Sequence, residues 1–227
     1  MIKALFISIL SFIPIYFWIQ YSLKRDEKKE PFYVLAIAFF VGMLSTIPAF
    51  FLEKVLIKDI SPPEFLDYTR FDLYIIITLI FAAIEELFKF LFLRFSVFEF
   101  REFDEPIDGF VYGAIGALGF AFVENLMIGI SVSTFEAIPI TTIRGLSANI
   151  LHFVTTGIIG YGFVNGLILN NKFYFYFSII VATLLHTIFN LMIMEINLYL
   201  FVIILIASAL TILNLQIKIL KEKIIKT

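Results

Sequence analysis

LYIIITLIFAAIEELFKFLFLR, residues 73–94, decides how the rest of the chain is read. Its first twelve residues are apolar on nearly every side, and a helix crossing the hydrocarbon core needs roughly 20 residues at about 1.5 Å each. A helix at the surface of a soluble protein would show water a polar stripe. Apart from Arg94 at its end, the charged groups in the stretch are Glu85, Glu86 and Lys89, packed into a little over one turn. Such a group at the bilayer centre costs ~2.5–3.5 kcal/mol on insertion scales and turns towards a protein interior or a watery cavity. The stretch predicts a membrane-spanning helix with polar partners on other helices.

The composition agrees. Of 227 residues, 61% are hydrophobic and 16% charged, Phe occurs 29 times and the mean hydropathy is +0.99. So apolar a chain predicts an all-α, polytopic transmembrane bundle and a multi-pass protein of the cell (plasma) membrane. The expected spans are 4–23, 32–52, 73–94, 106–135, 141–169, 173–195 and 196–217, seven in all, or eight if the tight junction at 193–196 hides another arrangement. Together they form one integral membrane domain over 1–227, with a catalytic core at about 73–195. The first span ends in KRDEKKE rather than in a small-residue cleavage site, and is read as a retained helix. Basic residues favour the cytoplasmic side. An N-out/C-in topology puts eleven of them inside (Lys24, Arg25, Lys28, Lys29, Arg94, Arg101, Lys172, Lys218, Lys221, Lys223, Lys226) and four outside (Lys3, Lys54, Lys58, Arg70).

Several chemistries are excluded. With no cysteine there is no disulfide, thiolate metal site or cysteine nucleophile, and a net charge of −2 without a basic run argues against nucleic acid. What remains is a short set of polar residues on four successive spans: Glu85, Glu86 and Lys89; Glu124 and Asn125; Arg144 and His152; His186 and Asn190. Counted from the outer end of its span, each of Glu85, Glu86, Glu124, His152 and His186 lies about 9–13 residues in, or ~14–20 Å deep, so all share one layer. Gly145, Asn149, His152, Thr156 and Gly160 recur at helical spacing as one small, polar stripe. Ala182, Thr183, His186 and Asn190 form another, in which Asn190 could orient a substrate carbonyl or His186 itself. Gly109, Gly113, Gly116 and Gly119 predict close helix approach in the fourth span. Glu85 and Lys89, at i,i+4, are expected to pair. That leaves Glu86 without a partner on its own helix and makes it the first candidate for chemistry.

Singly, each residue has a plain structural reading: a packing histidine, an ion pair, an Arg144 that anchors at the boundary or pairs with Glu124 or Glu136. DEPIDG (104–109) reads as the capped start of the fourth span, with Pro106 in its first turn. The coincidence of depth points instead to a site. Glutamate and histidine without cysteine suit a zinc centre, with His152, His186 and Glu124 as the candidate ligands. They also suit a glutamate that activates water directly while histidine stabilises the oxyanion. Either route cleaves an amide with water.

EELFK (85–89), GFAFVEN (119–125), RGLSANILHFVTTG (144–157) and HTIFN (186–190), in that order, resemble the PrsW family of bacterial intramembrane proteases, related to the CAAX prenyl-proteases and to bacteriocin-processing or self-immunity membrane proteins. The resemblance implies an intramembrane peptidase whose active-site carboxylates and imidazoles are Glu85, Glu86, Glu124, His152 and His186, with Asn190 second to them. It implies a membrane-anchored protein substrate of the anti-sigma-factor type. Glu124 stands where the CAAX proteases carry His, which favours the PrsW branch.

Two rivals come from other classes. Intramembrane Glu, Lys and His also mark proton- or ion-coupled transporters, though the chain shows no paired half-repeats. A non-catalytic scaffold or self-immunity relative would keep the layer without turnover. HExxH and GxGD are absent, and Ser147 in GLSAN lacks the glycine pattern of a serine protease and lies nearer the outer surface than His186.

Overall fold

A computed structural model describes residues 2–23, 30–58, 71–103 and 105–193. Among these residues it contains seven α-helices and no strand: α1 (Ile2–Leu23), α2 (Phe32–Leu56), α3 (Phe71–Arg94), α4 (Pro106–Ser131), α5 (Thr134–Leu146), α6 (Ala148–Ile168) and α7 (Phe173–Ile193). A 3-10 turn at Val97–Glu99 follows α3. The expected all-α bundle is present, and α1, α2, α4, α5 with α6, and α7 are long and apolar enough to cross a membrane. The 24 residues of α3 are long enough too, but carry the buried charges. The expected span 196–217 lies outside the described residues.

The bundle is organised around α4. Residues 107–121 are buried without interruption, and α4 packs against α1, α2, α3, α5 and α6. DEPIDG starts it as expected: Glu105 is the N-cap, and its N–H donates to Asp108 Oδ2 at 2.6 Å. At the other end Lys3 of α1 caps it, Nζ donating to the carbonyls of Ile130 (2.9 Å) and Val132.

Three of the α4 glycines meet neighbouring backbone directly, Gly119 that of α2 and Gly109 and Gly113 that of α6. A Cβ on Gly119 would fall 2.0 Å from the Phe39 carbonyl of α2, whereas one on Gly109 would fall 2.5 Å from the Gly160 carbonyl of α6. The converse contact is tighter still, a Cβ on Gly160 lying 1.8 Å from the Gly109 carbonyl. Backbone cannot yield as a side chain can. Gly160→Ala is therefore expected to cost about 3 kcal/mol, the upper end for overpacking, read as thermal unfolding in detergent. Gly166→Ala is the milder comparison and should cost less, because its added carbon comes no closer than 3.3 Å to any atom, the Asn171 carbonyl oxygen.

Two expected boundaries are corrected. The fourth span stops at Ser131 rather than at residue 135, and the expected helix 141–169 is two helices meeting at Ser147. Ser133 and Glu136 form a reciprocal capping box that starts α5 early, Ser133 N–H donating to Glu136 Oε2 (3.0 Å) and Glu136 N–H to Ser133 Oγ (3.3 Å). At Ser147 the backbone leaves helical geometry (φ −126°, ψ −67°) and the hydroxyl donates back to the Ile143 carbonyl at 2.8 Å. Together α5 and α6 still form one apolar stretch, Thr134–Ile168.

Candidate active site

Position along each helix brings the polar residues to one level, and side-chain contacts close the layer. Glu85, Glu86 and Lys89 of α3, His152 of α6 and His186 of α7 are buried; Glu124 of α4 is partly accessible, its side chain 20% exposed.

Glu86 is the most completely bonded group. Lys89 Nζ donates to its Oε1 at 2.9 Å, Thr155 Oγ1 to Oε1 at 3.0 Å and Thr156 Oγ1 to Oε2 at 2.8 Å, while His186 Nδ1 lies 2.9 Å from Oε1. The sequence expectation is corrected here. Lys89 does reach Glu85, at 3.4 Å, but its closer carboxylate is Glu86, which i,i+3 spacing places within reach as readily as i,i+4 places Glu85. Glu86, expected to lack a partner on its own helix, has Lys89 there, and the expected partners on other helices are Thr155, Thr156 and His186.

Hydrogen-bond logic fixes the two imidazoles. Lysine can only donate, so His152 Nδ1, 2.8 Å from Lys89 Nζ, accepts; His152 Nε2 then carries the proton and donates to Glu124 Oε2 at 2.9 Å. His186 Nδ1 donates to the Glu86 carboxylate, so in the neutral ring Nε2 is an acceptor, 3.8 Å from Glu85 Oε2. The rings meet edge to face, with centroids 5.0 Å apart. With the ring neutral, two acceptors face each other across a gap that a donor or a cation bridges.

Behind His152 the network runs outwards. Arg144 NH2 lies 2.8 Å from Glu124 Oε1, and its Nε donates to Asn125 Oδ1 at 2.7 Å. Asn125 Nδ2 in turn donates to Asn149 Oδ1 at 2.7 Å. Arg144 is thus the expected partner of Glu124, while Glu136 is occupied in capping α5. Asn190 is half-buried one turn beyond His186, and Glu86 rather than Asn190 holds the ring.

The donor set also changes. Glu85, His152 and His186 each offer a ligand atom, and these atoms all lie within 4.8 Å of one another. Glu124, expected as a ligand, stands behind His152 instead, bonded to its Nε2 and to Arg144. Two nitrogens and an oxygen suit zinc with a position left open, and each imidazole is braced through its other nitrogen by a carboxylate, as bound histidines are. Lys89 Nζ already touches His152 Nδ1 and Glu85 Oε2, so these donors are laid out for a positive charge and a metal would enter where an ammonium now sits.

Two contributors escape the sequence reading. Thr155 lies off the predicted stripe yet donates to Glu86. Glu53 of α2 has a buried Oε1 with no partner among the described residues and lies close enough to Glu85, Glu124 and Lys89 to feel their charges. At the end of an apolar span and followed by Lys54, it gave no sign in sequence of being more than an interfacial residue.

The sequence profile described as PrsW family intramembrane metalloprotease matches residues 30–214. Three relatives, each called Protease PrsW, are similar to this chain. The one from Oceanobacillus iheyensis is 27% identical over 109 residues, 48% of this chain and 47% of the relative. That from Geobacillus kaustophilus is 27% identical over 172 residues, 75% of this chain and 71% of the relative. That from Clostridioides difficile is 28% identical over 196 residues, 82% of this chain and 78% of the relative. The chain thus spans about half the length of the first relative and more than two thirds of the others. No solved structure matches it.

Proposed function

This chain belongs to the PrsW family of intramembrane metalloproteases, and from that premise we propose that it is an endopeptidase cleaving a membrane-anchored protein within or beside the bilayer. The observation that carries the reading is the buried gap of 3.8 Å between Glu85 Oε2 and His186 Nε2. A water donating into that gap is held by two acceptors. As its oxygen attacks the peptide carbonyl carbon, its proton passes to Glu85, acting as general base, and from there to the leaving amine. Glu86 positions: it fixes the His186 tautomer and anchors Lys89. Glu124 does the same for His152. Burial of the layer excludes bulk water and strengthens each of these interactions.

Glu85, His152 and His186 are the residues that would hold zinc, which when bound supplies Lewis-acid polarisation of the substrate carbonyl near neutral pH. The substrate class follows from site depth and family: a single-span protein of the anti-sigma-factor type, whose peptide bond must reach mid-membrane. The distribution of Lys and Arg supports an N-terminus outside, so the Glu124 side of the layer faces the outer leaflet.

The test co-reconstitutes the purified protein with single-span membrane proteins in vesicles. Wild type is expected to cleave a subset, and His186→Ala none; equal processing by both would sink the reading. Metal analysis of the same preparations separates the two chemical routes. Zinc near one per chain in wild type and absent from His152→Ala/His186→Ala marks the metal route, and an active zinc-free wild type marks Glu85 acting on water alone.

A further inference from the structure

The network that leaves the site through Arg144 ends on an unused donor. Arginine only donates, so Asn125 must turn Oδ1 towards Arg144 Nε and Nδ2 away from it. That Nδ2 donates to Asn149, which must therefore present its own Oδ1. The orientation of both amides is dictated by the guanidinium, and neither can flip without setting donor against donor. Asn149 is left with its Nδ2 pointing elsewhere. The residue is 0% exposed, and that nitrogen has no partner among the described residues. A buried amide N–H without an acceptor is a standing penalty that native structures rarely keep.

Its place makes the omission informative. Asn149 sits one turn before His152 on the face of α6 that meets α4, and the two residues bond adjacent α4 side chains, Asn125 and Glu124. Side chains three residues apart on a helix are neighbours, with Cβ atoms about 5–6 Å apart. Asn149 therefore stands one turn from His152 of the Glu85–His152–His186 cluster and bonds the neighbour of Glu124, the partly accessible carboxylate of the layer. What such a site lacks is an acceptor. An extended peptide entering between the helices brings a carbonyl oxygen every residue, with no helix or sheet partner inside the bilayer.

We propose that Asn149 is a substrate-binding residue: its side-chain N–H donates to a main-chain carbonyl of the substrate close to the scissile bond, with Arg144 and Asn125 as the positioning residues that aim it. The donor is set before substrate arrives, so the chain loses no freedom in orienting it on binding. The inference rests on the protease reading above.

The experiment pairs two changes in vesicles, using fluorogenic single-span peptides that wild type cleaves. On the enzyme, Asn149→Asp keeps the acceptor that Asn125 needs and replaces the free donor by a second acceptor, and Asn149→Ser is the neutral check against the added charge. On the peptide, each carbonyl near the cut is replaced in turn by a thioamide, a poor acceptor. Wild type is expected to lose about tenfold to a hundredfold in kcat/KM at one thioamide position, which Asn149→Asp and Asn149→Ser tolerate because they have already lost that bond. Asn149→Ser should unfold within a few degrees of wild type, and Asn149→Asp lower because its added carboxylate is buried. The proposal is overturned if the variants stay sensitive to the same thioamide position, if they cleave as fast as wild type, or if they lose activity only in proportion to lost folding. Failure of wild type to cleave any peptide would overturn the protease reading, and this inference with it.

Discussion

Glu85→Gln is expected to abolish turnover while leaving the protein folded. The substitution keeps the side chain's size and its burial but removes the base that takes the proton of a water held between Glu85 Oε2 and His186 Nε2. General-base groups contribute about 10²–10⁴-fold. Because Glu85 also completes the only group of His and acidic ligands of metal-binding spacing among the described residues, the loss should lie at the upper end, about 10⁴-fold in kcat. Stability should change little, since Lys89 reaches Glu85 only at 3.4 Å and keeps its closer partner Glu86 at 2.9 Å. Cleavage of a co-reconstituted single-span protein, measured beside thermal unfolding in detergent, checks both halves. A Glu85→Gln protein that cleaves within tenfold of wild type would remove Glu85 as the base.

Glu86→Gln is expected to fail in the opposite sense, through the fold. Four donors converge on this carboxylate, from Lys89, Thr155, Thr156 and His186, and one of them is a fully buried ammonium. An amide in its place carries no charge and turns an NH2 towards donors. Breaking a buried pair on one side costs about 3–5 kcal/mol, and here the Lys89 ammonium loses its nearer carboxylate and keeps only Glu85 at 3.4 Å. The variant should unfold well below wild type and cleave nothing, since the His186 tautomer is released as well. Removing both ions tells structure from chemistry: Glu86→Gln/Lys89→Met should regain a good part of the lost stability, as replacement of whole buried pairs often does, without regaining turnover. Should Glu86→Gln instead fold as wild type and be inactive, the chemical roles of the two glutamates exchange.

This division of labour between adjacent glutamates is where sequence and structure part most clearly. Along α3, EELFK says that two carboxylates and a lysine lie within reach of one another, and both i,i+3 and i,i+4 contacts are sterically open. The choice is made by α6 and α7. Thr155, Thr156 and His186 bring three further donors to Glu86, so the lysine charge settles beside the carboxylate already held in place. Similarly, His152 and Glu124 were visible as members of one layer, but whether Glu124 is a ligand or braces one depends on which edge of the imidazole α4 meets.

By itself the sequence determined that the chain is a multi-pass helical bundle, where most of its helices lie, and that Glu85, Glu86, Glu124, His152 and His186 share one depth. Those are properties of single helices: hydropathy is summed along a segment, and depth is residue number times rise per residue. Only the tertiary structure decided that Lys89 favours Glu86, that Glu85 rather than Glu124 joins the two histidines, that Glu53 belongs to the site's surroundings, and that Asn149 keeps a donor with no partner among the described residues. These depend on how each helix is rotated about its axis against its neighbours. That rotation is set by packing, by contacts such as Gly109 against Gly160 that bring α4 and α6 together, and by polar groups that have no water to turn to and must find one another.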